Sequence, residues 1–403
     1  MSGDHPQLRR SVGLVGLVLY GLGTIIGAGI YVLVGEIVFV AGMKAPIAFI
    51  VAGSLAAITG LSYAELSARY PEAGGAAVYL REAFDSEAVG KAAGLLTAAM
   101  AAVTAASLSR GGVGYLQPFV DVPAPLASGA IIALFTLIAC VGIRESMATV
   151  TALSLLEVGG LILVILAGTN AMPEGTAGLA AMLPTTPADW KVIGTAAFLA
   201  FFAFIGFDSM VTMAEETTDV RRTLPVAILL AIALSTALYL SVMVVALLSV
   251  PVAALGTSGA PLLLVIERGM PSLPPALFAP IALMSALNGI LIEILVASRL
   301  VYGIARRGWL PVWIGAVHAG RQTPLRATVL VGGIVFALAV SLPFEVLVAT
   351  TSSLLLLLFA AVNLALWRLH RVQPRADLAI AAPAWAPPLG TASCLLLIGI
   401  AAL

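Results

Sequence analysis

The stretch GLGTIIGAGIYVLVG, residues 21–35, places a cluster of small residues in the middle of a membrane-length apolar segment. Gly27, Ala28 and Gly29 stand at its centre. Glycine in a helix interior costs about 1 kcal/mol relative to alanine, and hydrocarbon offers no partner for backbone groups that a break sets free. The pattern therefore indicates one of two structures. Either the helix is interrupted where it faces a cavity, or small residues let two helices cross closely.

The composition is that of a protein that crosses a membrane several times. Hydrophobic residues make up 61% of the 403 residues and charged residues 10%, whereas soluble domains have about 45–50% and about 25%. The net charge of zero gives no basic surface for nucleic acid. Cys140 and Cys394 lie far apart in apolar runs, so neither a disulfide framework nor a Cys-x-x-Cys metal site is expected. We expect no cofactor and no bound metal.

Eleven apolar segments are long enough to cross a hydrocarbon core of about 30 Å. They are residues 13–40, 45–68, 88–117, 124–142, 148–169, 190–214, 224–250, 276–305, 325–342, 345–368 and 386–403. The first is interpreted as a retained span, because no cleavage site of a signal peptide interrupts it. The stretch 252–270 predicts an outer loop that carries an interfacial helix.

The lysine and arginine residues predict the orientation in the membrane. With the N-terminus in the cytoplasm, 16 of the 20 fall on the inner side. The other four are Lys44, Arg110, Lys191 and Arg268. We therefore expect a multi-pass protein of the plasma (cytoplasmic) membrane with its N-terminus inside and, given an odd number of spans, its C-terminus outside.

A second interrupted span is predicted at residues 201–213, FFAFIGFDSMVTM, where Gly206 and Asp208 fall within the membrane. Interrupted helices at corresponding positions, here spans 1 and 6, indicate a transporter built from inverted repeats with a binding site near the bilayer midplane. The predicted units are a cytoplasmic N-terminus (1–12), a first repeat of helices 1–5 (13–173), a second repeat of helices 6–10 (187–369) and a peripheral helix 11 (386–403).

Five stretches carry a family resemblance. They are GAGIY (27–31), YAELSARYPEAGGAAVYLREAF (63–84), FFAFIGFDS (201–209), EETTDVRRTLP (215–225) and SRLVYGIARRGWLP (298–311). In these segments and their order the chain resembles the amino acid-polyamine-organocation (APC) superfamily of transporters. The resemblance implies an all-α, five-plus-five inverted-repeat (LeuT-type) bundle with helices 1 and 6 broken. The predicted count of 11 helices departs from the twelve of many members.

The resemblance also implies how a substrate binds. Its carboxylate would meet backbone N–H groups at the first break, and its ammonium group would meet free carbonyls in both broken spans. Members often have serine where this chain has Ala28, so carboxylate binding would rest on the backbone alone. Phe202 matches an aromatic that closes over the substrate, unless it is simply a packed or lipid-facing ring. The substrate-binding residues implied are Ile25, Gly27, Ala28, Gly29, Phe202, Ile205, Gly206 and Glu293.

Ionisable residues inside a membrane are functional candidates because each costs about 2.5–3.5 kcal/mol at the centre of a helix. Glu36 is either part of a gate or paired structurally with Arg110. Glu157 occupies a position where proton-coupled members resemble one another in having lysine. It would carry a proton in that lysine's place or attract a cation. Asp208 is either a protonatable group or an acceptor that caps the second half of span 6.

Glu293 lies at a position that faces the substrate in relatives. A carboxylate there would favour a basic amino acid or an amine, unless its role is structural. Charged residues near the inner ends of the spans would either latch an inner gate through ion pairs or remain solvated helix ends. They are Glu65, Arg69, Glu72, Glu82 and Asp85 after span 2, and Glu215, Glu216, Asp219, Arg221 and Arg222 after span 6.

These features predict a secondary active transporter of amino acids or related amines that works by alternating access, coupled to protons or by exchange. A sensor without transport on the same scaffold, or an exporter of polyamines or cationic amino acids, is the alternative. An enzyme is not expected, because Asp208 is the single aspartate in a span and all three histidines lie outside the spans. The partners expected are the small substrate, membrane lipid and a proton or another cation.

Overall fold

The structure is a computed structural model that describes residues 12–27, 29–72, 74–141, 147–172, 177–306, 308, 310–316, 323–373, 378 and 380–401. This part of the chain is built from α-helices, with short 3-10 turns between some of them. The described residues contain no β-strand, and an isolated bridge pairs Val12 with Thr217. The all-α class predicted from the sequence is therefore confirmed.

Sixteen α-helices follow one another along the described residues. They are α1 (Leu14–Ile26), α2 (Gly29–Ala41), α3 (Ala45–Arg69), α4 (Gly75–Phe84), α5 (Glu87–Val113), α6 (Ala124–Val141), α7 (Met147–Ala171), α8 (Ala177–Ala180), α9 (Pro187–Ala200), α10 (Val220–Ser249), α11 (Val252–Thr257), α12 (Pro261–Gly269), α13 (Pro275–Arg306), α14 (Leu325–Ser341), α15 (Phe344–Val372) and α16 (Ala386–Ala401).

Eight stretches of the described helices are long and apolar enough to cross a membrane. Three shorter apolar helices, α1, α14 and α16, accompany them. A multi-pass membrane protein is thereby confirmed, while the count of eleven spans stays a prediction. One element differs from expectation. The stretch 252–270 holds two short helices, α11 and α12, rather than one.

Local sequence signals explain several helix ends. Thr186 and Asp189 form a capping box at the start of α9, in which each side chain accepts a hydrogen bond from the other residue's backbone N–H. Ser86 caps α5 by accepting from the N–H of Val89. Helix α4 ends at Asp85, which adopts a left-handed conformation with φ 48°.

Small residues bring the long helices close together. Helices α3 and α10 cross where a side chain at Gly53 would overlap Thr236 and one at Gly60 would overlap Ile232. Lipid removes the hydrophobic drive for helix pairing, so close van der Waals packing at such crossings supplies much of the association energy. Helix α1 packs against α7 and α10, and α13 packs against α5 and α7.

A buried ionic cluster centred on Glu65 joins three parts of the chain. The Glu65 side chain is fully buried in α3 and lies 2.7 Å from Nη2 of Arg69. Nε2 of His370 in α15 lies 2.9 Å from its Oε1, and the N–H of Ala382 donates to its Oε2 over 2.8 Å. Glu65 is therefore not part of a solvated helix end. It holds α3, α15 and the segment before α16 together.

Replacing Glu65 by alanine should strongly destabilise the fold. Removal of one partner from a buried ion pair costs about 3–5 kcal/mol, because the remaining charge stays buried without compensation. The measurement is the apparent unfolding temperature of purified protein in detergent. Glu82→Ala is the control, because its ion pair with Arg81 is about one-third exposed, at 31% and 38% for the two side chains. Equal shifts for the two variants would contradict the assignment.

Candidate functional site

The first element of the site is the interruption between α1 and α2. Helix α1 ends at Ile26, and Gly27 departs from helical geometry with φ −3° and ψ −71°. The N–H of Gly27 still bonds to the carbonyl of Gly23 over 3.0 Å, and α2 begins at Gly29. Ala28 lies outside the described residues. The end of α1 therefore presents carbonyls, and the start of α2 presents N–H groups, that lack helical partners.

The second interruption lies after α9. The chain passes from Ala200 into a 3-10 turn, Phe201–Phe204, and then becomes extended at Ile205 with φ −57° and ψ 138°. Gly206 follows with φ 116°, and a second 3-10 turn runs from Phe207 to Met213. Both predicted breaks are present.

The two breaks touch each other through their backbones. A Cβ atom on Gly206 would lie 2.3 Å from the carbonyl oxygen of Thr24, and one on Gly29 would lie 2.6 Å from Cα of Ala203. The hydroxyl of Thr24 also lies 3.2 Å from the carbonyl of Gly206, to which it donates. The two interpretations of the glycine-rich segment are therefore both correct here, because the helix is interrupted and two backbones cross closely at the interruption.

A cavity of about 40 Å³ lies between the breaks and helices α5 and α13. This volume corresponds to about three water molecules, at roughly 10–15 Å³ for each in this measure. Seven of the eight predicted substrate-binding residues line it, and the eighth, Ala28, is outside the described residues. The seven are Ile25, Gly27, Gly29, Phe202, Ile205, Gly206 and Glu293. The structure thus brings them together at one place, although their binding role stays a prediction.

Acidic groups supply the charge at the cavity. Glu293 of α13 is half-buried and lines the cavity, and among the described lining residues none is a lysine, arginine or histidine. Asp208 lies close enough to interact electrostatically with Glu293. Its Oδ1 accepts a hydrogen bond from the N–H of Gly206 over 3.1 Å. Asp208 therefore accepts a hydrogen bond from the broken backbone, while both of its predicted roles stay predictions.

Glu157 of α7 is separate from the cavity and 2% exposed. Its Oε1 lies 3.5 Å from Nδ2 of Asn288, while its Oε2 is buried without a hydrogen-bond partner among the described residues. The hydroxyl of Ser285 is also buried and lies beside the same carboxylate. The main-chain carbonyl of Glu157 accepts from the hydroxyl of Tyr31 over 2.6 Å. The carboxylate thus lies between α7 and α13 with an unused acceptor.

A family model described as "Amino acid permease" matches residues 12–403, which is nearly the whole chain. The chain belongs to this family. The resemblance to the amino acid-polyamine-organocation superfamily is confirmed.

Several curated proteins are similar to this member of the amino acid permease family. "Cationic amino acid transporter 9, chloroplastic" of Arabidopsis thaliana is 30% identical over 79% of this chain, which spans only 58% of that protein's length. "Branched-chain amino acid permease BcaP" of Bacillus subtilis is 28% identical over 98% of this chain and 88% of its own length. An uncharacterized transporter of Mycobacterium tuberculosis is 32% identical over 89% of this chain and 80% of its own length.

One predicted interaction of this amino acid permease family member is wrong. Glu36 and Arg110 form no ion pair within the 4.0 Å that defines one, although both residues are described. Glu36 is instead half-buried in α2 near Glu345 of α15, which has the same charge. The two carboxylates repel, so Glu36 is not held in a structural ion pair, and a role in gating stays a prediction.

Several residues of the site in this family member were not predicted from the sequence, among them Thr24 and Asn288 in the cavity lining and Tyr239 beside it. The hydroxyl of Tyr239, in the unbroken helix α10, lies 2.8 Å from the carbonyl of Ile25 and 2.9 Å from that of Ala203. The carbonyl of Ile25, predicted to be free for an ammonium group, therefore already accepts a hydrogen bond. The one available signal was a tyrosine in the apolar run ALSTALYLS (residues 233–241), which does not reveal its partners.

Gly206→Ala should prevent the breaks from packing. A left-handed backbone alone costs about 1–2 kcal/mol for a residue with a Cβ atom, and the overlap with Thr24 adds to that. We expect poor yield of monodisperse protein and a lower apparent unfolding temperature. Gly333→Ala in α14 is the control, because a Cβ atom there would meet nothing within 4 Å. A Gly206→Ala protein as stable as this control would show that the close contact is not required.

Proposed function

We propose that this protein is a secondary active transporter that moves amino acids or related amines across a membrane by alternating access. The observation that carries the proposal is the cavity between two interrupted helices, which residues of both breaks line. Such a site binds a zwitterion without charged side chains, and interrupted helices provide hinges. The names of the relatives, which include an amino acid permease and a cationic amino acid transporter, support the same class.

The substrate's two charged groups would bind at opposite ends of the first break. The carboxylate would accept hydrogen bonds from N–H groups at the start of α2, where the helix dipole places partial positive charge. The ammonium group would lie near carbonyls at the end of α1 and near those of Phe202 and Ile205 in the second break. The cavity has room for about three water molecules, so a substrate as long as lysine or arginine would require the breaks to move apart before they close around it.

The same proposal includes the wider architecture. We infer eleven spans and two inverted repeats, residues 13–173 and 187–369, because the interruptions fall in the first helix of each repeat. The bias of lysine and arginine residues supports an N-terminus in the cytoplasm and a site in the plasma membrane. The names of some relatives place those proteins in chloroplasts or mitochondria. The proposed location in the plasma membrane is therefore tested by locating the protein in cells.

The acidic cavity favours a substrate with a second positive charge. Glu293 lines the cavity, Asp208 adds to the negative field, and the described lining contains no cationic side chain. Glu293 is only half-buried, but a cationic group that pairs with its carboxylate would still gain affinity. The proposal is thus most specific for basic amino acids and amines, with neutral amino acids as weaker substrates.

Glu157 is the proposed coupling group. Its unpartnered oxygen is buried between α7 and α13, beside Ser285 and Asn288. Such a carboxylate is stabilised either by a proton or by a cation, and in both cases its occupancy would respond to the arrangement of the surrounding helices.

Uptake into proteoliposomes tests the proposed function directly. Purified protein should accumulate or exchange a labelled amino acid or amine, whereas protein-free liposomes should not. A thermal-shift screen against the same compounds should find ligands that raise the apparent unfolding temperature. Stabilisation without flux would identify a sensor on this scaffold. A protein that neither binds nor moves any of these compounds would refute the proposal.

Glu293→Gln should weaken the transport of basic substrates selectively. We expect KM for arginine or lysine to rise about tenfold, in keeping with the loss of one charged hydrogen bond, while KM for a neutral amino acid changes little. Initial rates in proteoliposomes give both values. Glu267→Gln, a carboxylate change on an exposed position of α12, serves as the control. An equal loss for neutral and basic substrates would rule out this selective role.

Glu157→Gln should remove the dependence of uptake on pH or on the coupling cation. A neutral amide binds neither a proton in the physiological range nor a cation with comparable strength, while it keeps the size of the side chain. The measurement is the uptake rate across a series of pH values and of sodium or potassium gradients, again beside Glu267→Gln. Retention of the original ion dependence would exclude Glu157 from coupling.

A further inference from the structure

A cluster of buried aromatic rings lies behind the second helix break. Tyr63 of α3 is fully buried, and its ring packs edge-on against Phe207 and against Phe359 of α15, with centroids 5.5 Å apart in both pairs. The rings of Phe207 and Phe359 are 4.9 Å apart. Ser209 lines the cavity, whereas Phe207 and Tyr63 do not. The turn that follows Gly206 therefore has one side towards the cavity and another towards α3 and α15.

The hydroxyl of Tyr63 is buried without a hydrogen-bond partner among the described residues. Such a hydroxyl is costly, because it has lost its bonds to water and gained none in return. The carboxylate of Asp208 lies close enough to interact electrostatically with it. A carboxylate has about four lone-pair sites, and the N–H of Gly206 occupies one of those on Oδ1. An unused donor therefore lies near a carboxylate that can accept a further bond.

The small cavity implies a second arrangement of this turn. The space holds about three water molecules, so a basic amino acid requires it to widen. Asp208 and Ser209 both belong to the turn Phe207–Met213, which begins after Gly206 with its φ of 116°. Glycine tolerates large changes of backbone angle. A shift of the turn towards α3 would widen the cavity beside Ser209 and carry Asp208 towards Tyr63.

We propose that Tyr63 is a positioning residue for alternating access, because its hydroxyl donates a hydrogen bond to Asp208 once the turn Phe207–Met213 has moved away from the cavity. This bond stabilises the open state that admits substrate. The inference rests on the proposed function. It gives α3 a role in opening the site without contact between Tyr63 and the substrate. Since opening precedes binding, the effect is the same for basic and for neutral substrates.

Tyr63→Phe and Tyr79→Phe form a matched pair of variants. Tyr79 of α4 is also fully buried with an unpartnered hydroxyl among the described residues, and its ring packs against that of Tyr63 with centroids 6.0 Å apart. Each variant removes one buried hydroxyl that makes no hydrogen bond in this structure and keeps the ring. Neither should therefore lower the apparent unfolding temperature of the purified protein.

Opening of the cavity is measured by the reaction of Ser209→Cys with a methanethiosulfonate reagent. The buried Cys140 and Cys394 are first replaced by alanine. Because the reagent is larger than three water molecules, the reaction rate reports the population of the open state. Tyr63→Phe should slow labelling about tenfold, the factor expected for one hydrogen bond to a charged acceptor. Tyr79→Phe should leave the rate unchanged.

Transport supplies a second measurement. In proteoliposomes Tyr63→Phe should raise KM about tenfold for basic and neutral substrates alike, because the state that binds them becomes rarer. Equal labelling rates for Tyr63→Phe and Tyr79→Phe would overturn the inference, as would a rise in KM confined to basic substrates. A lower unfolding temperature or loss of folding in Tyr63→Phe would do the same, since the hydroxyl would then be needed in the closed state.

A double-mutant cycle identifies the partner of the hydroxyl. Asp208→Asn keeps an oxygen for the N–H of Gly206 but removes the charge, so it should also slow labelling. Adding Tyr63→Phe to Asp208→Asn should then slow it little further. Independent effects of the two changes would show that Tyr63 acts on another group. Labelling requires no transport. Wild-type protein that moves no amino acid or amine would therefore refute the proposed function, while labelling would still decide the role of Tyr63.

Discussion

The structure depends on one constraint, which is that every backbone group exposed by a break inside the membrane needs a partner that lipid cannot supply. The chain meets it at its two breaks with three side chains. Thr24 donates to the carbonyl of Gly206, Asp208 accepts from the N–H of the same residue, and Tyr239 serves the carbonyls of Ile25 and Ala203. Donors at the start of α2 and spare lone pairs at these carbonyls remain. Backbone of both breaks lines the cavity, and these remaining groups are the chemistry by which the proposed zwitterionic substrate would bind.

Glycine makes this arrangement sterically possible. Gly29 and Gly206 let each break approach the backbone of the other to distances that no Cβ atom would allow. Because the breaks are in direct contact, a change of angle at one displaces the other. Hinging at a single break would open the contact and leave carbonyls without donors. The motion with the lowest free-energy cost would therefore be one in which both breaks move together. Contact between the breaks therefore links the binding site to the hinge within a few residues.

Features that depend on local composition could be predicted from the sequence, whereas features that depend on tertiary contact could not. Glycine in an apolar span is visible in the sequence, which is why both breaks were predicted from residues 21–35 and 201–213. The family resemblance implied seven of the residues that line the cavity. Tyr239 and Glu65 carry no local signal, because their roles depend on carbonyls and charges supplied by other helices. The Glu36–Arg110 pair was wrong for the same reason, since opposite charges in two spans do not specify the rotation of either helix. Repeat symmetry and the number of spans are also tertiary properties, and they stay predictions.

Helix α13 brings the two acidic centres into one structural unit. Glu293 and Asn288 both line the cavity, and the amide of Asn288 lies 3.5 Å from the carboxylate of Glu157 behind it. One side chain thus faces the substrate space on one side and the proposed coupling group on the other. A proton or cation at Glu157 would change the hydrogen bond that orients this amide, and a substrate that displaces the amide would change the environment of Glu157. Linkage requires that such an effect be equal in both directions. The proposed coupling between ion and substrate would therefore need no long pathway, because a single amide lies between Glu157 and the cavity.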